Sequence, residues 1–189
     1  MKIGVDLDEV LVEFINPFLD YLAKDHSIVL KKEQITTYRL WELWNGSKAQ
    51  GWQLFIDFYK KMGVINLKPV ELSENAIDLL QVNHDLMVIT SRPRVIKNDT
   101  EFWVNKYFNG KFKEIHFADY LIFHGKKKAE ICKDLKIDVM IEDSLEYAEE
   151  CSKSVKKVFL LNQPWNQSDD LPENIERVYS WGEIINKIN

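Results

Sequence analysis

The chain has 189 residues, room for one domain of ordinary size plus a modest insertion. Hydrophobic residues make up 46% and charged residues 29%, which favours a packed core over disorder, and no apolar run approaches the ~18 residues that a membrane span needs. With 25 basic against 30 acidic residues the net charge is −5, so neither a nucleic-acid polymer nor a membrane is expected as partner, although a local basic pocket stays open.

Met1-Lys2 leads directly into residues 2–7 (KIGVDL), a β-rich run ending on a carboxylate, and no signal peptide is expected before it. From 25 to 69 no strand pattern occurs and aromatics accumulate. Trp52, Phe55, Ile56 and Tyr59 follow helical spacing, so this stretch reads as a small helical insertion rather than a long loop. Ser73 is expected to cap a helix over 74–82, with Ala76, Ile77, Leu79 and Leu80 as its apolar stripe. A strand follows at 84–91 (HDLMVITS), a helix at 95–108 and a weaker strand at 113–118. The sequence then predicts a helix at 126–135, a strand at 137–143 (IDVMIED), a helix at 145–153, a strand at 155–161 (VKKVFLL) and a last helix near 181–188. Such alternation marks an α/β layer fold. Cys132 and Cys151 lie in two of these helices without metal-ligand spacing, and read as buried thiols in a reducing compartment, the cytoplasm.

Three predicted strands end in reactive side chains: Asp6 and Asp8, then Thr90 and Ser91, then Glu142 and Asp143. In an open parallel sheet, ligands bind outside the carboxyl ends of the strands, so these groups should converge. Polar residues often mark strand ends without further meaning, but that explains one such site better than three. Asp6-Leu7-Asp8 aims two carboxylates the same way on an extended backbone. Crowded carboxylates require a cation or proton between them, and Mg²⁺ suits hard oxygen ligands combined with phosphate.

Residues 6–11 (DLDEVL), 86–91 (LMVITS), the lysines 126–128 and 139–143 (VMIED) resemble, in order and spacing, the four motifs of the haloacid dehalogenase superfamily. Within it, VITSRP at 88–93, KAEICKDLKIDVMIEDS at 128–144 and the aromatic segment after the first motif resemble the 5′(3′)-deoxyribonucleotidase-like group. The resemblance implies a doubly wound, Rossmann-like parallel sheet, with residues 1–24 and 70–189 as the core domain and 25–69 as a helical cap inserted after the first strand. It also implies a Mg²⁺-dependent phosphatase acting on a nucleoside monophosphate.

Roles follow by position. Asp6 would be the nucleophile that forms an aspartyl phosphate, and Asp8 the acid and then base. Thr90 and Ser91 would hold phosphoryl oxygens, and a lysine opening the 126–135 helix would neutralise charge between Asp6 and phosphate. Asp143 would complete the Mg²⁺ site with Asp6 and Asp8. Among the three lysines Lys128 fits the motif best, with Lys127 second as a phosphate contact. Arg92, next to the hydroxyls, is a candidate phosphate grip or a partner for a surface acid. Glu142 is either part of the metal shell or only a neighbour of Asp143, and the place of Glu9 is open. One or two of Tyr38, Trp41 and Trp44 are candidates to stack on a base, the other aromatics being core. The four histidines lie in no metal or triad spacing and read as structural. Two other readings remain: another small phosphate ester as substrate, or a catalytically silent binding protein. A homodimer is left open.

Overall fold

Strand β1 (Lys2–Val5) takes an interior place in a six-stranded sheet because Ile3, Gly4 and Val5 can be covered on both faces. The other strands are β2 (Asp85–Thr90), β3 (Phe112–Phe117), β4 (Val139–Glu142), β5 (Lys157–Leu161) and β6 (Ile175–Val178). Their order is β3-β2-β1-β4-β5-β6, and every pairing is parallel. The computed structural model describes residues 1–37, 39–118 and 126–188.

Side chains alternate between two apolar clusters along these strands, as a sheet buried on both faces requires. Ile3, Val5, Leu86, Val88, Val139 and Ile141 join one cluster with helices α3 (Ser73–Leu80), α4 (Lys97–Phe108) and α7 (Trp181–Ile188). Met87, Ile89, Met140, Val158 and Leu160 join the other with α5 (Lys128–Leu135) and α6 (Leu145–Ser152). A Cβ at Gly4 would stand 2.8 Å from the Met140 sulfur and 2.9 Å from Ile89, so only glycine lets this second layer close over β1.

The segment 25–69, expected to be a helical insertion, contains helical elements. Its main element is α2 (Lys48–Met62), begun by a capping box in which Gln50 N donates to Ser47 Oγ and Ser47 N donates to Gln50 Oε1. Short 3₁₀ turns at Lys32–Gln34, Leu40–Trp44 and Val64–Asn66 surround it. α2 packs on α1 (Ile15–His26), with Phe18 and Phe55 stacked at 4.7 Å between ring centroids and Phe58 set edge-on to Phe18. Each buried aromatic contributes roughly 1.5–3 kcal/mol in such a cluster.

Two elements escaped the sequence reading and one detail changes. α1 contains Pro17 in its first turn, where the missing N–H has no helical acceptor to lose. β6 is an edge strand with Glu176 and Arg177 in its centre, so it lacks an apolar run. Ser73 is not a cap. It is the first residue of α3, fully buried, after Leu72 in a left-handed turn (φ 65°). Among the described residues no helix is long and apolar enough to cross a membrane.

Candidate active site

Asp6 lies just beyond β1, and its N–H still donates to Ile141 O at 3.0 Å, so the chain leaves the sheet alongside β4. Here the strand order reverses, the position at which open α/β sheets take ligands. The chain then turns sharply, with the N–H groups of Leu11 and Val12 donating to Leu7 O at 2.7 and 2.8 Å. Glu9 sits in this turn with φ 59°, and its buried carboxylate repays the local strain. Its Oε1 accepts from Phe14 N (2.8 Å) and Ile15 N (2.7 Å), capping α1, and its Oε2 accepts from Lys32 Nζ at 2.7 Å. The open question about Glu9 is thus answered: it joins the first turn to the insertion.

Of the three consecutive lysines, Lys128 is the one whose ammonium reaches Asp6. Nζ donates to Asp6 Oδ1 at 2.6 Å and to Glu142 Oε2 at 2.9 Å, and it lies 4.6 Å from the centre of the Tyr147 ring. Lys128, Asp6, Glu142 and Asp143 are all buried. Burial opposes the charge on Lys128, but Asp6 and Glu142 outweigh it and keep the ammonium charged. Burial pushes Glu142 up to about 8, helped by the Asp6 charge and opposed by Lys128. Asp143 is raised well above the usual carboxylate range by burial and by the charge of Glu142.

One ammonium cannot neutralise three carboxylates, so this cluster calls for protons or a further cation. Asp6, Glu142 and Asp143 each present one oxygen within 4.8 Å of the others. Trp165 Nε1 holds Asp143 Oδ2 at 2.9 Å, while Asp143 Oδ1 is buried with no hydrogen-bond partner. An orphaned buried oxygen among hard anionic donors fits a Mg²⁺ ion.

Thr90 is buried at the end of β2, and its Oγ1 accepts from Arg92 N at 3.1 Å. Ser91 lines the cleft and hydrogen-bonds the Tyr147 side chain. Asp8, Asp6, Thr90, Ser91, Arg92 and Asp143 form the sheet side of a cleft of about 590 Å³. Across it stand Arg39, Leu40, Trp41, Trp52, Phe55 and Tyr59 from the insertion. Trp41 packs closely on α2: a Cβ at Gly51 would come within 2.8 Å of the indole, so glycine sets that close approach.

Some expected residues stand elsewhere. Arg92 does not present its guanidinium to Thr90 or Ser91. It is buried and forked onto Asp8, with Nη2 to Oδ1 at 2.6 Å and Nε to Oδ2 at 3.0 Å, because the carboxylate supplies the charge that a buried guanidinium needs. Lys127 precedes α5, and its ammonium meets Glu150 at 3.2 Å rather than the cleft. Trp44 is not among the cleft residues and packs, half-buried, against the apolar cluster. Tyr38 lies outside the described residues. Sequence reasoning nominated neither Trp165 nor Tyr147. The run LNQPWN after the fifth strand carries the same strand-end signal as the other three, and reading it so would have found Trp165.

The model of the family described as "5' nucleotidase, deoxy (Pyrimidine), cytosolic type C protein" matches residues 1–189. A Bacillus subtilis protein named "Putative nucleotidase YqfW" is 27% identical over 193 aligned residues, covering 100% of this chain and 94% of its own. Among solved structures, the haloacid dehalogenase-like hydrolase SP0104 from Streptococcus pneumoniae superposes with a TM-score of 0.72 at 13% identity, covering 100% of this chain and 98% of the other. The "putative HAD-hydrolase YfnB" of Bacillus subtilis, described as bound to magnesium, gives a TM-score of 0.66 at 15% identity, with 100% and 98% covered. The fold is therefore that of the haloacid dehalogenase-like hydrolases.

Proposed function

The chain belongs to the cytosolic type C deoxy 5′-nucleotidase family, and from that premise we propose a Mg²⁺-dependent phosphomonoesterase for (deoxy)nucleoside monophosphates with Asp6 as nucleophile. It is a hydrolase of the nucleotidase and phosphatase kind. The observation that carries the finer reading is the meeting of Asp6, Asp8 and Asp143 in one cleft with aromatic walls, with the buried Lys128 ammonium on Asp6.

In this mechanism Asp6 attacks phosphorus and the ester oxygen departs with a proton from Asp8. Water then attacks the aspartyl phosphate, Asp8 takes the water proton, and the P–O bond electrons return to Asp6. Burial raises the Asp6 carboxyl, Lys128 opposes that rise and offers charge to the incoming phosphate, and Thr90 and Ser91 are placed to hold its oxygens. Asp6, Asp143 and Glu142 would hold Mg²⁺, which supplies charge neutralisation at the phosphoryl oxygens. The side chain of Asp8 is engaged by Arg92, so only its backbone is assigned to the metal. The segment 25–69 acts as the cap that selects the leaving group, on a core of 1–24 and 70–189. The thiols of Cys132 and Cys151 are free with their sulfurs 3.9 Å apart, which supports a reducing compartment such as the cytoplasm.

The test is turnover of a panel of 5′- and 3′-, deoxy- and ribonucleotides with Mg²⁺ and with excess chelator, beside acid-stable labelling of wild type and Asp6→Asn. Mg²⁺-dependent release of phosphate, with label lost in Asp6→Asn, is expected. Full activity in chelator removes the metal assignment, and turnover only of non-nucleotide esters moves the substrate class.

A further inference from the structure

We propose that Arg92 is a positioning residue which holds the Asp8 carboxylate in the orientation its base role needs, and that Tyr59 of the insertion seats Arg92 for this task. The inference rests on the phosphatase reading above and assigns Arg92 a role other than gripping phosphate. Four contacts fix the guanidinium. Its Nη2 and Nε fork onto the two oxygens of Asp8, at 2.6 and 3.0 Å, its Nη1 donates to Thr100 Oγ1 at 3.3 Å, and its face lies 5.2 Å from the Tyr59 ring centre. The side chain of Arg92 is 1% exposed and that of Asp8 21%, so the arginine is enclosed while the carboxylate keeps an opening to the cleft. Thr100 belongs to α4 and Tyr59 to α2, so the fork is clamped from the core and from the insertion at once.

A bidentate guanidinium does two things to a carboxylate. It stabilises the anion, and it fixes the plane in which the outward lone pairs lie. The fixed plane favours the second half-reaction, in which water adds to the phosphorus of the Asp6 phosphoryl group and gives its proton to the Asp8 carboxylate. The bond between phosphorus and Asp6 breaks with its electron pair returning to Asp6. An activated ester such as 4-nitrophenyl phosphate needs no proton for its leaving group, so its first half-reaction is largely insensitive to the fork. Arg92 touches no reacting atom in this scheme and acts through Asp8.

The experiment is rapid-quench turnover of 4-nitrophenyl phosphate with Mg²⁺ by wild type, Arg92→Met, Arg92→Lys, Asp8→Asn and the Asp8→Asn/Arg92→Met pair, with melting curves for each. Arg92→Met should release close to one nitrophenolate per folded enzyme in a fast burst larger than that of wild type. Its steady rate should then be lower by about 10²-fold, within the range of a lost general base. Arg92→Lys, which keeps charge but cannot fork, should fall between, and adding Arg92→Met to Asp8→Asn should cost almost nothing more. Three results overturn the assignment. A slowed first turnover with no burst, together with an equal rise in the inhibition constant of inorganic phosphate, makes Arg92 a phosphate grip. Undiminished turnover in both Arg92 variants makes it a packing residue. A full further loss in the double variant shows that it does not act through Asp8. An inert wild type overturns the phosphatase reading and this proposal with it, a failure told apart by the wild-type trace alone.

Discussion

Replacing Lys128 by Met keeps most of the apolar stem and removes the ammonium that bridges Asp6 and Glu142. If the acids stayed ionised, breaking such a buried pair would cost about 3–5 kcal/mol. They need not stay ionised, because burial already pushes Glu142 up to about 8 and raises Asp143 well above the usual range. A carboxylate raised on folding contributes stability that is full below its unfolded value of 4.5 and lost as pH rises through about 8. Wild type without metal should therefore lose stability over that window. Without Lys128 the folded values climb further, so the loss deepens and extends to higher pH. The expected penalty is about 1–3 kcal/mol near about pH 6, where protons replace the ammonium, and about 3–5 kcal/mol near about pH 8.5. Urea unfolding followed by tryptophan fluorescence, at both pH values and in chelator, measures it. Saturating Mg²⁺ should restore stability to both proteins, by about 3 kcal/mol at a hundredfold excess over Kd, and more at the higher pH. Equal penalties at the two pH values, or a variant more stable than wild type at the higher one, would refute the account of three acids sharing one ammonium.

Three further outcomes are expected. Trp41→Ala and Trp52→Ala should each raise KM for a nucleotide by about tenfold with little effect on a small aryl phosphate, whereas Trp44→Ala should lower Tm and leave the substrate ratio unchanged. Kinetics on both substrates with a melting curve separates the two behaviours, and a nucleotide-specific effect at Trp44 would reverse the assignment. Glu9→Gln keeps an oxygen for Phe14 and Ile15 but loses the Lys32 pair, costing about 1 kcal/mol, while Glu9→Ala loses the cap as well and should cost about 2 kcal/mol in urea unfolding. Trp165→Phe removes the donor that holds Asp143 Oδ2, and the Mg²⁺-induced rise in Tm should then need about 10- to 100-fold more ion. An unchanged Mg²⁺ requirement would show that Trp165 has no part in orienting Asp143.

Much of the fold is visible in the sequence because β1, β2, β4 and β5 are buried on both faces and read as short apolar runs ending in polar groups. β6 is invisible to that rule: its central Glu176 and Arg177 face a wetter edge, where Glu176 pairs with Lys157 and Lys187. The site is legible as a list of residues rather than as a set of partners. Strand-end position brings Asp6, Thr90 and Asp143 together whatever their rotamers. The destination of a long side chain is different. Arg92 stands two residues from Thr90, yet its fork closes on Asp8, 84 positions earlier. The three lysines share composition and neighbourhood, and only the start of α5 decides that Lys128 turns inward while Lys126 and Lys127 meet Asp134 and Glu150. Trp165 reaches Asp143 from the turn after β5, a contact that no local pattern encodes.

These long side chains have a common geometry that bears on how the insertion and the sheet work together. Lys32, from the insertion, pairs with Glu9 and places its ammonium 5.4 Å from the centre of the Trp165 ring, while Trp165 holds Asp143. Tyr59, also from the insertion, lies against Arg92, which holds Asp8. An insertion that only roofed the cleft would need apolar contacts such as Phe55 on Phe18 and nothing more. Lys32 and Tyr59 instead rest on Trp165 and Arg92, which hold Asp143 and Asp8. Displacing the insertion would remove these two supports together, without moving a strand. Side-chain contacts thus tie the segment 25–69 to the surroundings of Asp8 and Asp143.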